Sequence, residues 1–251
     1  MESNKALEIA EICGIHAGDG YLRNDGKRRE LDISGNIEEK EYYDKHIIPL
    51  FNKFFNIQSK GRYFPYRNTY GFVIRDIKII EFMNKLGFPY GAKSLKVKVP
   101  SFILEDDLLK KSFLRGYFDT DGHLGFAKKY GNCSEFRKTR HCYPRIGFTT
   151  VSKNLSDNLK EVFEELKFNF VYYTYKDKNE KSNLRHLFNI NGIKNLKKWL
   201  NLIGINNPTK YSRFLIWKKY GFCPTNINYL QRLEILKNKI NPNSFYKGPV
   251  A

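Results

Sequence analysis

The chain is short of three things that would each have named a class. Its four cysteines, at 13, 133, 142 and 223, contain no Cys-x-x-Cys pair, which argues against a disulfide framework and against a zinc ribbon. Cys133, His141 and Cys142 cluster, but with no second close pair the expectation is reduced thiols. No run of about 18 apolar residues exists for a membrane span, and the first residues, Met-Glu-Ser-Asn-Lys, lack the apolar stretch of a signal peptide. A soluble, intracellular protein, cytoplasmic or organellar, is expected, with no membrane partner. Acidic residues are the third shortage: 26 Asp and Glu face 44 Lys and Arg, a formal charge of +18 that attracts polyanions and makes nucleic acid the default partner. Apolar residues still reach 41%, so the low-hydrophobicity signature of disorder is not met, and 251 residues suffice for one large folded unit or two small ones.

What is present is a repeat. Ile12-Cys-Gly-Ile-His-Ala-Gly-Asp-Gly20 superimposes on Leu114-Arg-Gly-Tyr-Phe-Asp-Thr-Asp-Gly122 at an offset of 102. Leu31-Asp-Ile-Ser-Gly-Asn and Ile146-Gly-Phe-Thr-Thr-Val match at 115, and Ile74-Arg-Asp-Ile-Lys-Ile-Ile and Ile190-Asn-Gly-Ile-Lys-Asn-Leu at 116. About 13 extra residues therefore enter the second copy, around Lys128 to Tyr143, where charge and turn residues predict a longer hairpin loop.

Each copy reads as a helix ending in Asp-Gly, two strands, a helix, two strands and a helix. The first copy predicts Lys5 to Asp19, Tyr21 to Arg23, Glu30 to Ser34, Glu38 to Phe55, Gly61 to Tyr66, Tyr70 to Ile74 and Ile77 to Leu86. The fold class is mixed α/β (α+β): two pseudo-symmetric αββαββα repeats with antiparallel sheets, residues 1–100 and 101–251, the second with a tail. Lys93 to Asp106 reads as a linker, and a last helix is expected over Tyr229 to Lys239. The stretch from Ile216 to Pro224 reads as a packing element with basic edges.

Small residues recur on one face of each repeated helix: Ala10, Gly14 and Ala17 or Gly18, then Ser112, Gly116 and Thr120, so the two helices can approach closely. Gly20 and Gly122 fit the position past a helix end where a left-handed backbone favours glycine. Asp19 and Asp121 then sit on last turns, beside the negative end of the macrodipole, and close packing adds mutual repulsion. Divalent cations relieve both, and hard oxygen ligands favour Mg²⁺ or Ca²⁺ in an arrangement suited to phosphodiester hydrolysis. One Gly-Asp-Gly is ordinary turn chemistry. Two helical copies at equivalent places are not.

Both segments resemble the LAGLIDADG motif of homing endonucleases, with Asp19 and Asp121 at its eighth position and Gly20 and Gly122 at its ninth. The likeness extends through the element order of both copies, as in single-chain members acting as monomers with internal pseudo-twofold symmetry. It implies staggered double-strand cuts in double-stranded DNA, at a long target site. Asp19 and Asp121 are the implied metal-binding acids, with the carbonyls of Gly18 and Thr120 offered beside them. Mg²⁺ is the implied cofactor, with Mn²⁺ able to substitute and Ca²⁺ binding without supporting cleavage. Lys78 and Lys194, where a strand passes into a helix, resemble the basic residue near each scissile phosphate.

The implied saddle of strands places Arg23, Asn24, Lys27, Arg28, Arg29, Ser34, Asn36, Arg62, Tyr63, Tyr66 and Arg67 toward the groove from the first copy. The second offers Lys128, Lys129, Arg137, Lys138, Arg140, Arg145, Thr149, Tyr173, Tyr175 and Lys176. Ala17 stands where the motif's sixth position is often Asp, whereas the second copy keeps Asp119; His16 on the helix is read as packing. Met1 is followed by no catalytic Cys or Ser and the end lacks a His-Asn pair, so an intron-encoded or free-standing protein is expected rather than an intein. Competing readings are an RNA maturase binding intron RNA, a DNA-binding regulator that lost the chemistry, and a basic structural protein of ribosome or nucleoid.

Overall fold

A computed structural model describes residues 2–129, 140–178 and 182–246. Helix α1 (Glu2–Asp19) runs directly into strand β1 (Gly20–Asn24), which turns into β2 (Arg29–Asn36). A composite helix follows, with a 3-10 turn at Ile37–Glu39, α2 (Lys40–Tyr42), a π turn at Tyr43–Ile47 and α3 (Ile48–Phe55). The sequence predicts one unbroken helix here. Pro49 explains the difference: it has no N–H for the carbonyl of Lys45, and the register relaxes to the wider π bonding in which Ile48 N–H donates to the Tyr43 carbonyl.

Strand β3 (Arg62–Phe64) is shorter than expected, because Pro65 opens a 3-10 turn to Arg67, and β4 (Thr69–Ile74) leads to α4 (Ile77–Lys85). The second copy repeats the order after a short α5 (Ser101–Leu104): α6 (Asp107–Thr120), β5 (His123–Lys129), β6 (Arg140–Thr150), α7 (Lys153–Glu165), β7 (Val171–Tyr175), β8 (Arg185–Asn191) and α8 (Ile193–Leu202). Two helices close the chain, α9 (Pro208–Tyr220) and α10 (Tyr229–Leu236).

The two sheets share one topology, β1-β2-β4-β3 and β5-β6-β8-β7, antiparallel throughout. Their registers carry the sequence offsets. Tyr21 pairs with Asp32 as His123 pairs with Gly147, and Ile33 with Phe72 as Phe148 with Phe188, which are shifts of 102, 115 and 116. The extra residues of the second copy do not all form loop: β5 and β6 extend to Lys129 and from Arg140, leaving 130–139, with Arg137 and Lys138, outside the described residues.

Helices α1 and α6 form the seam between the copies. A Cβ on Gly14 would stand 2.1 Å from the Phe113 carbonyl oxygen, and one on Gly116 would stand 2.3 Å from that of Glu11, so backbone meets backbone. One side of the seam is closed by Glu11, buried between Arg115 and His46; their hydrogen bonds outweigh its desolvation and hold its carboxyl down at about 2.

The segment from Lys93 to Asp106 is not a free linker. Val97, Val99 and Ile103 are buried, the Ser152 hydroxyl donates to the Val97 carbonyl, and Val99 N–H donates to Asn158, so the tail of the first copy docks on α7 of the second. The tail of the second docks in return on the first: Thr209 donates to the Glu38 carbonyl at 3.1 Å and Tyr229 to Glu41 at 2.7 Å. Among the described residues no helix is long and apolar enough to cross a membrane.

Candidate active site

Asp19 and Asp121 come to the same end of the paired helices. A Cβ built on Gly18 would lie 2.1 Å from Thr120 Oγ1 and 3.3 Å from the carboxyl carbon of Asp121. Gly20 and Gly122 do not take a left-handed backbone, contrary to the sequence reading, since neither is among the glycines with positive φ. They are small for another reason. A Cβ on Gly20 would sit 2.4 Å from the His16 ring, and one on Gly122 would sit 2.5 Å from the Phe118 ring, so each strand leaves its helix pressed against the preceding aromatic.

His16 occupies the place of Phe118 and behaves like it. It is fully buried, packs tilted against Phe88 with ring centroids 4.3 Å apart, and neither ring nitrogen has a hydrogen-bond partner among the described residues. Its pKa lies well below the usual histidine range because burial and then Lys93 oppose the charge. A depressed folded-state pKa stabilises the fold above the unfolded value and loses that stability as pH falls below about 6.5. Exchanging His16 for phenylalanine removes two unsatisfied nitrogens and is expected to raise stability by about 1 to 3 kcal/mol at neutral pH. It should also flatten the acid limb. Urea midpoints at pH 7.5 and 5.5 check both, and an unchanged midpoint at each pH would reject this account.

The lysines at the carboxylates are not the expected pair. Lys78 and Lys194 are exposed on the first turns of α4 and α8, line neither cavity beside the acids, and do not act on either carboxylate. Lys93 and Lys210 take the position instead. Lys93 Nζ donates to the carbonyls of His16 and Gly18, and Lys210 Nζ donates to those of Phe118 at 2.8 Å and Thr120 at 2.6 Å. The same two turns of each helix are thus capped by an ammonium where the backbone leaves orphan acceptors. The carbonyls of Gly18 and Thr120, expected to face a metal, each already accept one bond, leaving one lone pair apiece. Burial lowers Lys93 to about 8 against the pull of Asp121 and Asp19.

Signal for these lysines was in the sequence. Leu86-Gly87 and Ile203-Gly204 each precede a lysine by the same spacing, Lys93 and Lys210, at an offset of 117. Both glycines have positive φ, 103° and 82°, which marks them as helix stops.

Two cavities flank the seam. One, of about 500 Å³, is lined by Asp19 with Thr120 and Lys210; the other, of about 300 Å³, by Asp121 with Gly18 and Lys93. Each therefore combines a carboxylate from one copy with the residue preceding the carboxylate, and the lysine, of the other. Burial, Glu39 and Asp121 push Asp19 up to about 7, opposed by the Tyr43 hydroxyl, which donates at 2.6 Å from the π turn, and by Lys210. Asp121 is also raised by desolvation, with Lys93 and Lys210 opposing. Carboxylates crowded this way are stabilised by a cation. Among the described residues no group of three His, Cys, Asp or Glu side chains is placed to hold a metal ion by itself.

The open faces of the sheets hold most of the residues expected at a groove. Arg62 and Arg67 stack their guanidiniums over Phe64 at 4.7 and 4.4 Å, Arg67 also pairs with Asp32, to which Ser34 donates, and Tyr66 is fully exposed at the turn tip. Lys27, Arg28 and Arg29 are exposed at the β1–β2 turn, with Arg23 paired to Asp25 and Asn24 half-buried. Tyr63 is exposed at the sheet edge, donating to Asn68, while Asn36 caps the 3-10 turn and lines the Asp19 cavity. On the second sheet Lys128, Arg145, Thr149, Tyr173, Tyr175 and Lys176 are exposed. Arg140 is not free for a groove: its guanidinium stacks on Tyr246 at 4.5 Å.

A family model described as LAGLIDADG-like domain matches residues 109–204. The replication factor C small subunit of Methanocaldococcus jannaschii is 26% identical over 216 residues, which is 85% of this chain; the chain spans about a tenth of that protein's length, 10%. Solved structures of the homing endonuclease I-DmoI superimpose with a TM-score of 0.52 at 15% identity, covering 80% of this chain and 97% of theirs. One of these is a complex of I-DmoI with DNA and Mn. A variant of I-SmaMI gives 0.53 at 12% identity, covering 95% of this chain and 98% of its own.

Proposed function

From a chain that carries a LAGLIDADG-like domain and has the fold of the homing endonuclease I-DmoI, we propose a site-specific DNA endonuclease that cuts both strands of a long duplex target with divalent cations. The observation that carries this reading is the pair of cavities, related by the repeat, in which Asp19 meets Lys210 and Asp121 meets Lys93. Two equivalent centres in one chain match two antiparallel strands, so the protein acts as a monomer on double-stranded DNA.

Asp19 and Asp121 would hold the cations, Mg²⁺ or Mn²⁺, whose charge activates water and offsets the negative charge that builds on the phosphate. Tyr43, donating to Asp19, fixes the orientation of that carboxylate. Gly18 and Thr120 line the same cavities, and their carbonyls would offer a remaining lone pair there. Lys93 and Lys210, held at the helix ends, place a positive charge beside each carboxylate and stabilise the charged transition state. The sheets position the duplex through exposed Arg, Lys and Tyr side chains, base edges supplying the specificity. A divalent ion with larger, looser coordination, Ca²⁺, is expected to support binding without cleavage.

The test incubates a randomised duplex library with the protein in Mg²⁺, beside an Asp19→Asn, Asp121→Asn double variant, with Ca²⁺ as a third arm. Staggered cuts are expected from the unaltered protein and none from the variant, which still binds. Equal cutting by both would reject the assignment of the acids. Tight binding of intron RNA without any DNA cut would favour a maturase.

A further inference from the structure

The cavity beside Asp19 has a second wall that the hydrolytic reading does not use. Arg213 on α9 and Arg232 on α10 both line it. Arg232 is buried to 1% exposure, with Nε donating to Ser212 at 2.9 Å and Nη1 to the Ile227 carbonyl. Its Nη2 is left with a loose approach to Glu38 at 3.8 Å. Arg213 is half-buried and makes no ion pair or hydrogen bond among the described residues. Two guanidiniums and Lys210 share one cavity, and burial together with Arg213 lowers Arg232 to about 10. Asp19, Glu38 and Glu39 line the same cavity, yet none of them pairs with Arg213 among the described residues, so its charge stands open to an anionic ligand.

The opposite wall carries Asp19, Glu38 and Glu39, which suits a cation. A ligand satisfying both walls has an anionic group that also binds metal, and a phosphodiester is such a group. The cavity beside Asp121 lacks this construction. The counterpart of Arg213 at the offset of 117 is Lys96, which is exposed, α10 has no counterpart in the first copy, and Arg185 there is already paired with Asp177 at 2.6 Å.

We propose that Arg213, with the buried Arg232 behind it adding positive field, forms a phosphate clamp, supplied by the C-terminal helices to the Asp19 cavity alone, that grips the backbone of one DNA strand before any cation binds. This rests on the chain binding duplex DNA as proposed above. The two centres are then unequal, with the strand at Asp19 held more firmly.

The test measures binding of a randomised duplex pool of about 60 base pairs in EDTA across a salt series, the length being about twice a large site. Arg213→Ala is expected to weaken binding about tenfold and to reduce the slope of log affinity against log salt by about 1. Arg213→Lys should restore the slope. Lys85→Ala removes one charge from the exposed last turn of α4 and should leave the slope unchanged. Should the alanine variant melt early, Arg213→Gln keeps the stem and removes the charge. An unaltered slope in Arg213→Ala, or an equal loss in Lys85→Ala, overturns the clamp and leaves the endonuclease reading standing. No salt-dependent binding by the unaltered protein overturns both.

Discussion

On the endonuclease function proposed above, replacing Lys210 with methionine is expected to leave a nickase. Lys210 lines the Asp19 cavity and Lys93 the Asp121 cavity, each from the copy opposite the carboxylate, while the field of each also reaches the other acid. Losing one preorganised charge of this kind costs about 10²- to 10³-fold in rate. That loss should fall chiefly on one strand, and Lys93→Met should show it on the other. Methionine keeps the unbranched stem, so the chief structural loss is the pair of bonds to helix-end carbonyls. Duplexes labelled on either strand, cut under single-turnover conditions, read the two rates separately. Equal slowing of both strands by either substitution would sink the crossed assignment; normal rates on both would remove the lysines from the chemistry.

The second large effect concerns the seam. Gly14→Val and Gly116→Val are each expected to cost about 3 kcal/mol or more, beyond ordinary overpacking, because the obstacle is a carbonyl of the facing helix rather than a movable side chain. The Cβ would arrive at 2.1 Å from Phe113 and 2.3 Å from Glu11, so the helices must separate. Separation also moves Asp19 and Asp121 apart. The matching control is Gly125→Ala, whose Cβ would meet nothing nearer than 3.8 Å; its midpoint should shift by less than about 0.5 kcal/mol. Urea denaturation decides the case, and a Gly14→Val protein with an unaltered midpoint would show that the helices do not meet as described.

The repeat was legible because a duplicated chain keeps its hydrophobic register. Offsets read from residues alone reappear in the ladder, Tyr21↔Asp32 against His123↔Gly147, since a one-residue slip would turn every strand inside out. The small faces around Gly14 and Gly116 announced a close helix contact in the same way. Local grammar misled at three places. Asp-Gly marked the helix ends correctly but suggested a left-handed backbone at Gly20 and Gly122, whereas their smallness answers to the neighbouring rings of His16 and Phe118. Pro49 inside a helical pattern concealed the π turn that brings Tyr43 to Asp19. Lys78 and Lys194 lay in the stronger sequence match, yet the match reflected the start of a helix, whose first turn faces solvent.

By itself the sequence determined the element order within each repeat, the duplication, the pair of acids at helix ends and the positive charge. Each is written in neighbouring residues or in a fixed spacing, and hydrophobic periodicity and chain order preserve it. Tertiary structure alone decided which lysines reach the acids, that each cavity draws on both copies, and that the tails cross to clasp the opposite half. Those contacts join residues about as far apart as Asp19 and Lys210, where no local pattern acts and only the packing of α1 against α6 fixes what meets.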